Sequence, residues 1–254
     1  LAPFPALATA AAATRSLRVG TYVIANDLRN PVLLAKDAAT LDVLSGGRFE
    51  LGIGVGRPGA QADNSAMGLP FDTGGVRVSR LAESLAIIRR LLAGERVSVA
   101  GAYYTLSDAM IAPRPAQAHL PILVAGSGRR LLSLAAREAD IIALGLPPDV
   151  SEPLVSERLE WIRSAAGDRF ASLELNLHLM AVGGRIPRHL SSKLDPAAAA
   201  AFAQSKAIPV LKGETSAMCD RLAELRGRLG INYFMVSDEL MDALAPVVAR
   251  LAGQ

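Results

Sequence analysis

The stretch LRVGTYVIANDLRNPVLLAKDAATLDVLSGGRFELGIGVG, residues 17–56, decides the fold because it contains two strands and a helix in immediate succession. Residues 17–26 are apolar and rich in β-branched side chains, and residues 48–56 are similarly apolar, so each run predicts a buried strand. Both runs are continuously apolar rather than alternating, which is typical of strands covered on both faces. The stretch therefore predicts two parallel strands joined by a helix.

The connecting helix is predicted over residues 30–47 from the residues at its two ends. Asn30 is a favourable N-cap, and Pro31 fits the first helical position, where the missing backbone N–H costs nothing. Gly46 and Gly47 then end the helix. The segment is thus a strand–helix–strand unit of the kind that builds parallel sheets.

The same alternation continues along the rest of the chain. Buried strands are predicted at 121–126, 140–145, 173–184 and 231–237, and a hairpin at 97–106 with its turn at Ala100–Gly101. Helices are predicted at 3–14, 78–94, 127–139, 154–166, 216–230 and 241–253. Residues 57–77 are predicted to form a long loop rich in Gly and Pro, and residues 185–214 stay unassigned.

The number of strand–helix units indicates the architecture. Six core strands, each followed by a helix, are too many for a typical small doubly wound domain and too few for a closed eight-stranded barrel. The chain begins at Leu1, and its first helix has no strand before it. With about two further units before Leu1 the number becomes eight, so we expect an α/β fold, a (β/α)8 TIM barrel in one domain over residues 1–254. Periodicity alone leaves an open Rossmann-like sheet as the alternative.

The amino-acid composition argues against several classes of function. The chain has 254 residues, of which 51% are hydrophobic, and its apolar runs are far too short to span a membrane. The net charge is only +3, the arginines are scattered and 4% of the residues are aromatic, which argues against a nucleic-acid groove. The single cysteine, Cys219, allows no intrachain disulfide and no Cys/His metal cluster, and it favours a reducing cytoplasm.

In either architecture, ligands are expected at the carboxyl ends of the parallel strands. One such end is GIGVG, residues 52–56. It is not the dinucleotide fingerprint, because its glycines fall inside the strand and a long loop follows instead of a helix. Two interpretations stay open. The glycines let the strand pack closely against a protein neighbour, or they let the backbone lie against a flat ring system.

A second strand end, AGSGRR over residues 125–130, leads directly into a helix. The backbone N–H groups of Ser127, Gly128 and Arg129 would point out of the helix N-terminus, which suits an anion such as phosphate. The Arg129 guanidinium would add a charged fork. The alternative is an ordinary strand-to-helix turn capped by Ser127.

No catalytic arrangement is recognisable among the remaining polar residues. His119 precedes a strand, His189 lies in the unassigned segment, and His178 lies within a strand and could point into a barrel. The sequence shows no Ser/His/Asp triad, no paired carboxylates and no metal-ligand set. Arg80 and Glu83 share a helix face and are expected to form an ion pair.

Three segments carry a family resemblance. Residues 18–56, with the pattern NP…LAK…ATLD.LSGGR…G.G.G, resemble the luciferase-like flavin monooxygenases and deazaflavin-dependent oxidoreductases. Residues 113–145 resemble the second signature of this family, and residues 230–251 resemble its end. The likeness is greatest to the actinobacterial branch that uses coenzyme F-420, a deazaflavin. The resemblance implies a (β/α)8 barrel whose first strands carry an acidic residue and an Asp–His pair. Those strands are expected before Leu1, so no catalytic residue is carried over.

The resemblance also implies a set of cofactor-binding residues. It places a non-prolyl cis peptide bond at Tyr22–Val23, in a strand that bulges toward the ring, and it places a phosphate at the turn after residue 125. The implied residues are Thr21, Tyr22, Val23, Gly54, Val55, Gly56, Arg57, Gly126, Ser127, Gly128, Arg129 and Gly145. Arg57 departs from the family, in which a small polar residue is common at that position.

We therefore expect an oxidoreductase that uses coenzyme F-420, with FMN as the alternative, on a small-molecule substrate that the sequence does not identify. Coenzyme F-420 would imply hydride transfer, and FMN could also mean oxygen activation. Two rival interpretations stay open: a non-catalytic flavin-binding barrel, and a sugar-phosphate barrel enzyme that uses the turn at 126–129. The resemblance further implies a homodimer, with the helices at 3–14 and 30–47 as the candidate interface.

Overall fold

The computed structural model describes residues 1–57 and 59–252, and the chain divides into two compact units, Leu1–Ile141 and Ile142–Gln254. In each unit, parallel strands alternate with helices along the chain. This alternation is the repeating arrangement of α/β proteins, so the predicted α/β class is confirmed. Within the described ranges, no helix is both long enough and apolar enough to cross a membrane.

The first unit is built on a parallel sheet. Its elements in chain order are α1 (Pro3–Ala13), β1 (Val19–Gly20), β2 (Ile24–Ala25), α2 (Pro31–Ser45), β3 (Phe49–Gly54), α3 (Gln61–Ala66), α4 (Gly74–Leu92), β4 (Val97–Ala100), β5 (Thr105–Ala109), β6 (Ile122–Gly126) and α5 (Arg129–Glu138). The sheet order is β1–β3–β6, and β2 also pairs with β3. The register places Gly54 between Ala25 of β2 and Ala125 of β6. The carboxyl ends of β2, β3 and β6 therefore meet at one edge.

Helix α2 forms as predicted because both of its ends are set by local sequence. The Asn30 Oδ1 atom accepts hydrogen bonds from the N–H groups of Val32 (2.9 Å) and Leu33 (3.4 Å). At the other end, Gly46 adopts the left-handed conformation, with φ 66°. Both caps follow the general preferences for Asn at N-caps and Gly after the last helical residue.

Arg48, which follows the LSGG motif, ties α1 to the rest of the first unit. Its guanidinium donates to the carbonyl oxygens of Ala11 (2.9 Å), Leu17 (2.5 Å) and Ser45 (2.6 Å). Ala11 lies in the last turn of α1, where carbonyl groups have no partner within the helix. Arg48 therefore caps α1 and fixes the segment that leads into β1, a role that the sequence did not indicate.

The predicted single strand over residues 17–26 is wrong, because the chain forms two short strands, β1 and β2, separated by Thr21–Val23. The Tyr22–Val23 peptide bond in this segment is cis, as the resemblance implied. The Thr21 hydroxyl donates to the Gly52 carbonyl and accepts from the Gly52 N–H, at 2.8 Å in each case. A side chain thus replaces the backbone pairing that a continuous strand would make with β3.

The prediction of one long loop over residues 57–77 is also wrong. Helix α3 lies inside this segment, and α4 begins at Gly74 instead of residue 78. Glycine lowers the helix propensity of this first turn, so local sequence argues against an early start. The absence of a side chain at Gly75 leaves room for Arg130, whose Nη1 would lie only 3.1 Å from a Cβ there.

The strands of the second unit lie in the order β7–β8–β11, and β8 and β11 pair in parallel. Its elements are β7 (Ile141–Leu144), α6 (Glu152–Ala166), β8 (Glu174–His178), β9 (Ala181–Val182), α7 (Arg188–Ser191), α8 (Pro196–Ala203), β10 (Val210–Leu211), α9 (Thr215–Leu229), β11 (Ile231–Met235) and α10 (Met241–Leu251). The predicted strand over 173–184 ends at His178. The N–H groups of Met180 and Ala181 instead donate to Pro209 O, at 2.8 and 3.2 Å, which directs β9 toward β10.

Asp140 joins three segments of the first unit. Its carboxylate accepts from Arg89 Nη2 of α4 (2.5 Å) and from the Ile122 N–H of β6 (2.8 Å), and it contacts His119 Nε2 (2.8 Å). Burial opposes the charge of this carboxyl, but the hydrogen bonds from Arg89 and Ile122 lower the pKa of Asp140 below its ordinary value. The carboxylate is therefore a charged anchor between α4 and β6.

We expect the Asp140→Asn substitution to lower the free energy of unfolding at pH 7 by about 1–3 kcal/mol, because Arg89 loses a charged acceptor. The folded-state pKa of Asp140 is depressed, so its stabilisation is present above the unfolded pKa of about 3.9 and is lost as the pH falls through the folded value. Urea unfolding at pH 7 and pH 3 tests this. The difference in free energy of unfolding between wild type and variant should be smaller at pH 3 than at pH 7. An equal difference at both pH values would contradict the role assigned to the charged Asp140 carboxylate.

Candidate cofactor-binding site

The carboxyl edge of the first unit's sheet holds most of the residues predicted to bind a cofactor. β2 ends at Ala25, β3 at Gly54 and β6 at Gly126, so the three segments that follow leave the sheet at the same edge. Gly54–Arg57 and Gly126–Arg129 are thus brought to this edge, whereas Thr21–Val23 precede β2 and lie beside Gly52 and Gly54 of β3. This is the edge where ligands gather in parallel α/β sheets.

The glycines of β3 make room for a protein neighbour. A Cβ on Gly52 would overlap the Thr21 carbonyl oxygen, and a Cβ on Gly54 would lie 2.9 Å from Val23 Cγ2. The close neighbour of both glycines is therefore the Thr21–Val23 segment. The requirement for glycine at these two positions needs no flat ring to explain it, and the contact of Gly54 with a cofactor stays a prediction.

The segment with the cis bond exposes Tyr22 but not the Thr21 hydroxyl. Thr21 is buried and its hydroxyl bonds to Gly52, so it is a structural contact. Tyr22 is 47% exposed, and desolvation of its phenol raises the pKa of Tyr22 to about 12. The phenol is therefore neutral at physiological pH, and it offers a ligand an aromatic surface without a charge.

Arg77 of α4 holds the chain just beyond β3, and the sequence did not indicate it as a site residue. Its Nη1 donates to the carbonyl oxygens of Val55 (2.7 Å) and Gly56 (3.1 Å), and its guanidinium lies 4.3 Å from the centre of the Phe71 ring. Arg77 is only 7% exposed. Its spacing from Leu81, one turn later on the buried face of α4, is the signal that could have found it.

Arg57, the residue that departs from the family pattern, points to the surface. Its guanidinium pairs with Asp63 of α3 at 2.7 Å, and the two side chains are 72% and 59% exposed. An exposed pair of this kind contributes little to stability. The position of Arg57 beside a ring therefore stays a prediction, and its charge is already balanced by Asp63.

A buried ion cluster supports the turn that follows β2. Asp27, in the short 3-10 helix Asn26–Leu28, pairs with Arg80 of α4 at 2.8 Å, and Arg80 also pairs with Asp72. The Asp27 and Arg80 side chains are only 6% and 19% exposed. The cluster thus ties the end of β2 to α4 in a partly desolvated setting, where ion pairs are strongest.

The predicted ion pair between Arg80 and Glu83 is wrong. Glu83 instead accepts hydrogen bonds from the backbone N–H groups of Tyr103 (3.1 Å) and Tyr104 (2.8 Å). The reason is the β4–β5 hairpin, whose connection packs so close to α4 that a Cβ on Gly101 would overlap the Glu83 carboxylate. The hairpin itself was predicted, and this contact fixes it to α4.

The turn between β6 and α5 is open to an anion. Ser127, Gly128 and Arg129 are exposed, and no atom lies within 4 Å of the position that a Cβ on Gly128 would occupy. Gly128 is the N-cap of α5, so the alternative interpretation of a turn capped by Ser127 does not hold. The first N–H groups of α5 have no helical partner, and the positive end of the helix dipole lies here. The residues present therefore fit the phosphate of a cofactor.

Gly145 directly follows β7 in the second unit. It is exposed, and its carbonyl oxygen accepts a hydrogen bond from Arg158 Nη1 at 2.8 Å. Its predicted contact with a cofactor phosphate stays a prediction.

Comparison with known proteins points to one family. A family model for luciferase-like monooxygenases matches residues 1–200. The F420-dependent glucose-6-phosphate dehydrogenase of Beutenbergia cavernae is 40% identical over 140 residues, which are 55% of this chain and 40% of that protein. The present chain thus spans less than half the length of this relative.

Solved structures show the same fold at lower sequence identity. The monooxygenase RslO1 from Streptomyces bottropensis matches with a TM-score of 0.74 and 23% identity, over 98% of this chain and 82% of that one. The coenzyme F420 dependent tetrahydromethanopterin reductase from Methanopyrus kandleri matches with a TM-score of 0.73 and 20% identity, over 94% and 82%. These likenesses confirm the predicted fold class.

Proposed function

Since the chain belongs to the luciferase-like monooxygenase family, we propose that it is an oxidoreductase that binds coenzyme F-420, with FMN as the alternative cofactor. The observation that carries this proposal is the open N-terminus of α5 at Ser127–Arg129, together with the exposed Tyr22, whose segment packs against β3, the neighbour of β6. A phosphate-bearing ring cofactor needs both an anion site and a surface for the ring. The first unit offers the two together.

The residues of the first unit have distinct roles in this proposal. The N–H groups at the start of α5 and the Arg129 guanidinium bind the phosphate. Tyr22–Val23 and Val55–Gly56 form the surface for the ring, and Arg77 fixes that surface through the Val55 and Gly56 carbonyls. When bound, coenzyme F-420 supplies hydride chemistry, whereas the protein supplies position and a low-charge surface.

The choice of coenzyme F-420 over FMN is supported by the relatives. The Beutenbergia cavernae protein is named for F420-dependent oxidation of glucose 6-phosphate, and the Methanopyrus kandleri reductase is named for coenzyme F420. A sugar phosphate is therefore the first substrate class to test. The assay mixes the protein with glucose 6-phosphate and coenzyme F-420 and follows the loss of the oxidised cofactor's absorbance. A cofactor that binds but is never reduced by any substrate would favour the non-catalytic alternative.

Two adjacent arginines test the phosphate site. We expect Arg129→Gln to weaken the binding of coenzyme F-420 about tenfold, because a hydrogen bond to a charged group is lost. Arg130 is the matched control, since its guanidinium already donates to Ser79 Oγ at 2.7 Å. Fluorescence titration of both variants measures the dissociation constants. Equal affinities for the two variants would contradict the proposed phosphate site.

The homodimer also stays a proposal, and exposed apolar side chains on α2 support it. Leu33, Val43 and Leu44 are 61%, 44% and 64% exposed, and Leu17 nearby in sequence is 62% exposed. An apolar helix face of this kind commonly marks an interface. Sedimentation at micromolar concentration tests it, and a monomer would contradict it.

A reducing, cytoplasmic location is likewise proposed from the single buried Cys219.

A further inference from the structure

A basic cavity lies in the second unit, between the segment that follows α8 and the first turns of α9. Its volume is about 270 Å³. Lys206, Lys212 and Arg221 line it, and Ala207 and Val210 contribute an apolar wall. Among the described residues that line this cavity, none is acidic. The cavity is thus a small concave site with a positive lining.

Two of the three cations have no acidic partner. No ion pair involving Lys206 or Lys212 is formed within residues 1–57 and 59–252. The Lys212 ammonium donates to the Gln204 carbonyl oxygen at 2.6 Å, which fixes its position without cancelling its charge. Arg221 is balanced by Glu224 at 2.7 Å, so its guanidinium is held in place beside the two lysines. The cavity therefore carries the uncompensated charge of two ammonium groups.

We propose that this cavity binds a phosphate group, either as inorganic phosphate or as the phosphate of a small monoester. Lysine ammonium groups have only hydrogen-bond donors, and a phosphate dianion has several acceptor oxygens and the opposite charge. The Ser205 hydroxyl, whose oxygen accepts from the Ala207 N–H at 3.2 Å, keeps its proton to donate to the ligand. A neutral ligand would leave the two like charges uncompensated.

The size of the cavity limits the ligand. Sites for drug-sized molecules occupy roughly 300–1,000 Å³, and this cavity is slightly smaller than that range. A phosphate with a few carbon atoms therefore fits, whereas a dinucleotide does not. The site shares no residue with the turn at Ser127–Arg129, so it stands independently of the proposed cofactor site.

The small number of lysines makes a direct test possible. The chain has four, namely Lys36, Lys193, Lys206 and Lys212. NMR of the 254-residue chain with isotope-labelled lysine side chains follows all four during a titration with inorganic phosphate, at constant ionic strength set with sodium chloride. We expect saturable shifts at Lys206 and Lys212 and none at the other two. Equal or non-saturating shifts at all four lysines would mean an adventitious ion only, and that result or the absence of any shift would overturn the proposal.

Variants and two further ligands complete the test. Lys206→Gln and Lys212→Gln should each raise the phosphate dissociation constant about tenfold, the loss expected for a charged hydrogen bond. Lys193→Gln, which removes an exposed lysine elsewhere in the unit, should leave it unchanged. Glucose 6-phosphate should shift the same two lysines if the site accepts monoesters, and no shift would restrict the ligand to inorganic phosphate. Shifts produced by glucose alone would contradict a phosphate site, and unchanged backbone spectra verify that each variant is folded.

Discussion

Replacing Gly52 by alanine is expected to lower the free energy of unfolding by at least about 3 kcal/mol, the upper part of the range for overpacked cores. The added methyl group would overlap the Thr21 carbonyl oxygen, which is backbone and cannot rotate away. Gly52 also makes both hydrogen bonds with the Thr21 hydroxyl, so any shift of β3 breaks them. Because Thr21 leads into the Tyr22–Val23 segment, a shift at Gly52 should also displace the proposed ring surface.

Two further glycine-to-alanine substitutions provide comparisons for the loss of stability expected at Gly52. Gly54→Ala should cost less than Gly52→Ala, since the new methyl group would meet the terminal Val23 Cγ2 atom at 2.9 Å instead of backbone. Gly227 is the matched control, because it is exposed on α9 and nothing lies within 4 Å of its Cβ position. Alanine at this helical position should raise the free energy of unfolding by about 0.5–1 kcal/mol. Urea unfolding of the three variants measures the order. A Gly52→Ala variant as stable as wild type would contradict the packing described for β3.

Replacing Arg80 by leucine is the second large effect, with an expected loss of about 3 kcal/mol at pH 7, the lower part of the range for breaking a buried ion pair. The substitution leaves the carboxylates of Asp27 and Asp72 without their shared cation, and the Asp27 side chain is only 6% exposed. It also removes the guanidinium that lies 5.4 Å from the centre of the Tyr103 ring. The turn after β2 should therefore loosen along with the global loss of stability.

An exposed pair provides the control for Arg80. Arg96 also pairs with an aspartate, Asp108, but both side chains are about 60% exposed, at 61% and 58%. Water screens such a pair, so Arg96→Leu should change stability far less than Arg80→Leu. Thermal unfolding of the two variants compares them. Equal losses of stability in the two variants would show that burial does not determine how much the Arg80 cluster stabilises the protein.

The parts of the first unit that local sequence controls were predictable. The N-cap Asn30, the stop at Gly46 and the continuously apolar β3 all depend on residues within a few positions of one another. The cis bond at Tyr22–Val23 was reached only through the family resemblance, because nothing local in the GTYV sequence demands it.

The contacts that complete the candidate site could not be predicted, because their partners are far apart along the chain. Arg80 and Asp27 are separated by 53 positions, and Arg77 and Val55 by 22. An arginine on an amphipathic helix is ordinarily interpreted as a solvent-facing residue, and only the fold shows which backbone carbonyl or carboxylate it reaches. The same reason explains the error at Glu83, whose partner is the hairpin and not its helical neighbour.

The most direct test of the proposed function is a titration of the purified chain with coenzyme F-420 and, separately, with FMN, followed by absorbance and fluorescence. We predict saturable binding of coenzyme F-420 that is tighter than the binding of FMN and that weakens in Arg129→Gln but not in Arg130→Gln. Binding of FMN alone would select the alternative cofactor. Absence of binding for both would contradict the assignment of this chain as a flavin- or deazaflavin-dependent oxidoreductase.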